Sequence, residues 1–147
     1  MSTTGYLPAS FLRRIGAIFY DSMLVVSFLF VAGMLSMKGM MLAMDLENIP
    51  AGSIAAKVFF VYLVLLAYLF FAWFWIHGGQ TLGMRAWKVK LIRQDGMTIS
   101  WGQAFLRFCY SIVSWVPLGA GYLWSLIDKD KQAWHDKASH SYLIDIR

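Results

Sequence analysis

The sequence is poor in charge and nearly devoid of cysteine. Only 14% of its 147 residues are Asp, Glu, Lys or Arg, and Cys109 is its one cysteine. An average soluble domain carries about 25% charged residues. A single cysteine excludes an internal disulfide and any cysteine-cluster metal site. It sits in no thiolate-activating pattern and is read as packing. Three histidines, His77, His135 and His140, are too few for a histidine-rich metal centre. What fills the chain instead is apolar: 59% AVILMFWYC and 17% aromatic, with a mean hydropathy of +0.57. That composition excludes intrinsic disorder, a collagen-like fibre and a disulfide-rich secreted module, and fits an ordinary soluble globule poorly. The length allows one domain, residues 1–147, of a polytopic membrane protein. The net charge of +5 comes from basic residues that flank apolar runs, so anionic lipid is a better partner for them than nucleic acid.

Three apolar runs stand out: Ile15–Met37, Val58–Ile76 and Phe108–Ile127, of 23, 19 and 20 residues. Each reaches the roughly 20 residues that cross a bilayer as a helix. The first is too long for a signal-peptide core, contains Asp21 and is followed by no clear small-residue cleavage site. Trp73 and Trp75 close the second run as an interfacial belt, and its other aromatics read as packing and belt residues rather than a ligand cage. The third is interrupted by Pro117-Leu118-Gly119-Ala120-Gly121, where proline removes a backbone donor. Upstream, Ser100 and Gln103 have capping-box spacing, which predicts a helix from about Trp101 to Val116. The third run is then either one kinked span or a helical hairpin that enters and returns.

Charge discriminates between these. If all three runs span, the Lys and Arg residues divide seven against six between the two sides. If the third re-enters, they divide eleven against two. Cytoplasmic loops carry the excess, so the re-entrant arrangement is favoured, with the N-terminus cytoplasmic. Short strands agree with it. Trp87, Val89 and Leu91 alternate with Lys88 and Lys90, Asp95-Gly96 is a hairpin turn, and Met97–Ser100 follows. Tyr142, Ile144 and Ile146 alternate near the C-terminus and could join a sheet with residues 87–100. The alternative is two unrelated interfacial segments.

The expected architecture is an all-α integral membrane protein with a small cytoplasmic β element. Helix 1 covers about 15–37, an external loop 38–57, helix 2 about 58–76, a β-like segment 79–100, a broken third helix 101–127 and a tail 128–147.

Three blocks carry a resemblance. They are Arg14-Ile15-Gly16-Ala17-Ile18-Phe19-Tyr20-Asp21, then Gly79-Gln80-Thr81-Leu82-Gly83-Met84-Arg85, then Trp134-His135-Asp136-Lys137-Ala138-Ser139-His140-Ser141. The chain resembles the RDD family of bacterial membrane proteins from Arg13 to Ile144. The arginine and two aspartates that name the family correspond to Arg14, Asp21 and Asp136. Where the family tends to have Gly-Thr, this chain has His140-Ser141. The resemblance implies a bacterial cytoplasmic (inner) membrane location. It also implies a function of the kind suggested for the family, transport of an unidentified ligand, with some members linked to cation/proton exchange.

Asp21 is the principal candidate site residue. An ionised carboxylate inside a membrane helix costs at least about 2.5–3.5 kcal/mol and faces the protein interior with a partner. Arg14, Ala17 and Asp21 share a helix face. Arg14 and Asp21 are about 10.5 Å apart along the axis, so Arg107, at another membrane boundary, is the candidate partner. Gly16 and Ala17 allow close helix approach. Asp136 is expected at the interface, accepting turn amides or pairing with Arg14 or Arg85. Against the transport role stands a structural one, in which Asp21 pins its helix to Arg107 or to a backbone donor. Met34, Met37, Met40, Met41 and Met44 form a thioether stripe with weak Cu(I) potential, or else adaptable apolar packing. No nucleophile–base pair or phosphate loop is present, so neither enzyme activity nor a cofactor is expected. Two spans enclose a pathway poorly. The expected partners are therefore the lipid bilayer and a second copy or another membrane protein.

Overall fold

The computed structural model describes residues 6–45 and 47–147. The first apolar run lies within α1, Phe11–Ala43, and the second within α2, Ile54–His77. Both helices are long and apolar enough to cross a membrane. Both overrun the bounds expected from hydropathy, and the intervening loop shrinks to residues 44–53. Lys38 and Lys57 end the apolar runs, but a lysine does not interrupt backbone hydrogen bonding. The actual punctuation is Asp45, which takes the left-handed φ of 51° just past α1, and Ser53, whose Oγ accepts the Ala56 N–H at 3.1 Å as a helix cap.

The chain divides into two compact units, one of Ser22–Phe70 and the other of the segment up to Asp21 with Phe71–Arg147. In the Ser22–Phe70 unit, α1 and α2 run antiparallel. Phe28 stacks on Phe70 at 5.5 Å, and the Ser36 and Tyr62 hydroxyls meet at 2.8 Å. Gly33 lets the helices close up, since a Cβ there would stand 3.3 Å from Leu63 Cδ2. The outward residues are apolar: Phe30, Val61 and Phe60 are about two-thirds exposed, at 67%, 64% and 66%.

The second unit contains everything else. After α2 come α3, Leu82–Ala86, and β1, Val89–Arg93, then α4, Trp101–Trp115, and α5, Ala120–Ile127, and finally α6, Trp134–Ala138, and β2, Ser141–Asp145. The capping box at Ser100 forms as its spacing predicts: Gln103 N–H donates to Ser100 Oγ, and Ser100 N–H to Gln103 Oε1. The third run breaks where proline and glycine sit together. Leu118 and Gly119 take positive φ angles of 54° and 81°, and the chain turns back. Tyr122 Oη donates to the Ser111 carbonyl at 3.2 Å, and the Trp115 and Tyr122 rings lie 5.5 Å apart. Gly121 faces Ser114 so closely that a Cβ would fall 2.8 Å from the Ser114 Cα. At 15 and 8 residues, α4 and α5 measure about 22 and 12 Å, each short of the roughly 30 Å of hydrocarbon in a bilayer.

Strand pairing fixes the path further. β1 and β2 pair antiparallel from Val89↔Asp145 to Arg93↔Ser141. One strand precedes the third run and the other follows it, so that run must end where it began. The sheet expected between residues 87–100 and the C-terminus therefore forms, but with a different partner arrangement. The Asp95-Gly96 turn is present, with Arg93 N–H donating to the Met97 carbonyl at 2.8 Å. Met97–Ser100 forms no strand, because the chain passes at once into the Ser100 cap of α4. The N-terminal segment lines the other side of β2: Pro8 bridges Ile144, and Ala9 N–H donates to the Leu143 carbonyl at 2.8 Å.

Candidate functional site

Two buried carboxylates organise the larger unit, and they differ in what holds them. Asp136 lies on α6 and is fully buried. Arg14 Nη1, from the first turn of α1, reaches its Oδ2 at 2.5 Å, and Arg107 Nη1, from the middle of α4, reaches its Oδ1 at 2.5 Å. The Ala133 N–H donates to Oδ2 at 3.0 Å. A carboxylate reaching back three residues to a backbone donor is the reciprocal half of a capping box, so Asp136 also starts its own short helix. The arginines are anchored in turn. Arg14 Nε donates to the Ala9 carbonyl at 3.1 Å and Nη2 to the Lys131 carbonyl at 2.7 Å. Arg107 Nη1 donates to Ser141 Oγ at 3.0 Å, and its guanidinium lies over the Trp75 ring at 5.3 Å. One residue thus ties together α1, α4, α6 and the start of β2.

The electrostatics follow from this geometry. Burial alone would raise the Asp136 pKa, but the Arg107 and Arg14 guanidiniums outweigh it and hold the carboxyl well below the usual range. His135 is its neighbour, with Nε2 3.6 Å from Asp136 Oδ1 and its ring 4.8 Å from that of Tyr122. Burial, aided by the two guanidiniums and opposed by Asp136, pushes the imidazole down to about 3. It is therefore neutral at physiological pH.

Asp21 is held without any counter-cation among the described residues. Its Oδ2 accepts the Thr81 hydroxyl, and its Oδ1 accepts the Gly83 N–H at 2.9 Å. Thr81 is itself the N-cap of α3, accepting the Met84 N–H at 3.2 Å. The block Gly79–Gly83 is thereby explained residue by residue. Gly79 has φ 68°, and its carbonyl takes the Leu91 N–H at 2.7 Å. Gln80 Nε2 donates to the Val89 carbonyl at 2.7 Å. Gly83 must lack a side chain, since a Cβ would sit 2.8 Å from the Asp21 carboxyl carbon.

Several expectations need correcting. Arg107 does not pair with Asp21; it pairs with Asp136. Asp136 pairs with Arg14 as one expectation had it and accepts the Ala133 amide, but Arg85 is exposed and not among its partners. Ala17 does allow close helix approach, since Gly83 of α3 packs against its carbonyl, while Gly16 accommodates the Trp87 ring, with a hypothetical Cβ 2.7 Å from Trp87 Cδ2. Met34, Met37, Met40 and Met41 lie on the last turns of α1 with Met44 just beyond, all exposed or half-buried. Thr81, Gly83, Trp75, His135 and Ser141 complete the two sites and were not singled out for them from sequence. Thr81 and Gly83 could have been, because a capping threonine two residues before a glycine offers a free hydroxyl and an unhindered amide.

The family model described as the RDD family matches residues 8–140. The chain belongs to the RDD family. No curated protein and no solved structure matches it. Arg14 meets Asp136, while Asp21 stands apart on neutral donors. His140 has φ 48°. That is the left-handed conformation glycine favours and histidine tolerates better than bulkier residues. Ser141 supplies a hydroxyl to Arg107, which a threonine would also supply.

Proposed function

We propose that this protein is a small bacterial inner-membrane protein, not an enzyme, and that Asp21 is its ion-coupling residue. RDD membership and two membrane-length helices indicate a small membrane protein. The observation that carries the finer reading is the unequal treatment of the two carboxylates. Asp136 has two guanidiniums and is fixed as an anion, so it serves as framework together with Arg14 and Arg107. Asp21 is 4% exposed, and its bonds come from a hydroxyl and an amide, both neutral. A buried carboxylate with only neutral donors can gain and lose a proton without stranding a partner charge. Two long helices enclose no pathway alone, so transport by this route takes place in a homo-oligomer or beside a partner membrane protein.

Asp21→Asn keeps the shape and most of the hydrogen bonding but cannot carry a proton. In vesicles with an imposed proton gradient, cation-dependent proton flux is expected to fall to background with Asp21→Asn and to persist in the wild type. Undiminished flux through the variant would remove Asp21 from the mechanism.

A second reading is a membrane scaffold for another membrane protein, and the saturation of both Asp21 oxygens favours it. It predicts no flux from either protein and a stable partner on affinity purification.

The membrane arrangement has its own test. The N-terminal segment and both strands share one unit, so both termini are expected in the cytoplasm with α4 and α5 re-entering from that side. Reporters fused after Arg147 should be active in the cytoplasmic form and silent in the external form. The reverse pattern would mean three full spans.

A further inference from the structure

Among the described residues, three buried side-chain polar atoms lack a hydrogen-bond partner: Arg107 Nε, Trp75 Nε1 and His135 Nδ1. They belong to neighbouring side chains. The Arg107 guanidinium lies over the Trp75 ring at 5.3 Å, and Arg107 and His135 both face Asp136 Oδ1, at 2.5 and 3.6 Å. All three residues are nine-tenths or more buried, at 3%, 6% and 6% exposure. Buried polar groups are almost always satisfied, so three orphans around one guanidinium call for a guest.

The charge around them indicates its nature. Two guanidiniums face one carboxylate, and the neutral His135 adds nothing, which leaves one positive charge in excess. On the Arg14 side, a water-sized cavity of about 10 Å³ is lined by Arg14 and the exposed Asp130. No comparable acid lies among the partners of Arg107. Two of the orphans, Arg107 Nε and Trp75 Nε1, can only donate, whereas His135 Nε2 faces the Asp136 carboxylate and keeps the ring proton, which leaves Nδ1 an acceptor. The guest must therefore accept hydrogen bonds and carry negative charge. Position narrows it further. Trp75 lies two residues before the end of α2, and Arg107 immediately precedes the third apolar run. Both sit where an apolar segment gives way to polar sequence, which is the depth of lipid phosphates in a bilayer.

We propose that Arg107 and Trp75, beside His135, form a phosphate-binding site, filled by the headgroup of an anionic phospholipid at the base of the α4–α5 hairpin. The lipid phosphate supplies the missing negative charge and occupies the orphaned donors. This rests on the membrane reading above, which fractionation and the terminal reporters test independently.

The experiment uses the full chain, ¹⁵N-labelled at tryptophan, in nanodiscs of phosphatidylcholine alone or with phosphatidylglycerol. The Trp75 indole N–H resonance, identified by its loss in Trp75→Phe, is expected to move downfield only when phosphatidylglycerol is present. Trp75→Phe retains the ring under Arg107 but removes the donor, and should weaken phosphatidylglycerol retention about tenfold, the usual effect of one charge-assisted hydrogen bond. Inorganic phosphate added to the protein in detergent separates the sources. A shift there at micromolar phosphate would assign the site to the free anion and overturn the lipid. An indole resonance identical in both nanodiscs would mean that the site makes no use of an anionic headgroup, and would overturn the anionic-lipid site. The shift itself is read in the wild type, and Trp75→Phe is needed only to identify the resonance.

Discussion

Replacing Asp136 by asparagine is expected to cost about 3–5 kcal/mol, the range seen when one partner of a buried ion pair is removed. The cost arises because Arg14 and Arg107 remain where they are, 6% and 3% exposed, with no anion between them. Bringing each guanidinium out of water costs several kcal/mol, offset in the native protein by the carboxylate and its hydrogen bonds. Asparagine keeps one acceptor, so one of the two bonds at 2.5 Å survives in weakened form, but its amide nitrogen opposes the other guanidinium. Thermal unfolding in detergent should show the loss directly. Adding Arg107→Gln to Asp136→Asn should cost less than the sum of the single changes, since the second change removes a charge the first has stranded. Strict additivity would mean that the pair contributes no coupling and that the cluster is not the lock described above. Asp21→Asn provides the contrast. No cation is stranded there, so its stability cost should be far smaller while its effect on flux is complete.

Stability is expected to fall as the pH drops from about 6.5 towards 4, and His135 is the cause. In the unfolded chain its imidazole takes up a proton near pH 6.5. In the folded protein, burial first, and then Arg107 and Arg14 against the opposing Asp136, hold its pKa at about 3. Between these two values the unfolded state binds the extra proton, so stability rises with pH across the window, by up to about 1.4 kcal/mol per unit. Above pH 6.5 both states are neutral and the dependence vanishes. Asp136 acts lower down. Its pKa is depressed in the folded state, so its contribution is present above the ordinary carboxylate range and is lost only below about pH 4. The two windows are therefore separable. Melting temperatures between pH 7.5 and 4.5 should decline for the wild type and flatten for His135→Gln, whatever the absolute stability of that variant. A decline of equal steepness in His135→Gln would place the titrating group elsewhere.

Much of the framework is legible in the residues themselves. The apolar runs locate α1 and α2, Ser100 and Gln103 locate the start of α4, and Pro117 with Gly119 locates its end. These features are local, since a helix, a cap or a break depends on neighbours within about four positions. Element ends were misread where hydropathy stood in for hydrogen bonding, as at Lys38 and Lys57. The turn-back of the third run was legible at the same break, which left a hairpin as one of its two readings.

Pairing of charges was not. Arg14 and Asp136 stand 122 residues apart in sequence, and Arg107 and Asp136 stand 29 apart. Nothing in composition or spacing says which guanidinium reaches which carboxylate. Sequence by itself determined that Asp21 must be buried with a partner, because an apolar helix surrounds it. Only the tertiary structure decided that the partner is the Thr81 hydroxyl and the Gly83 amide, and that Arg107 belongs to Asp136. The reason is that a buried charge is satisfied by whatever donors the topology carries to it, and that topology is set by the β1–β2 pairing and the turn at Leu118-Gly119, far along the chain from Asp21.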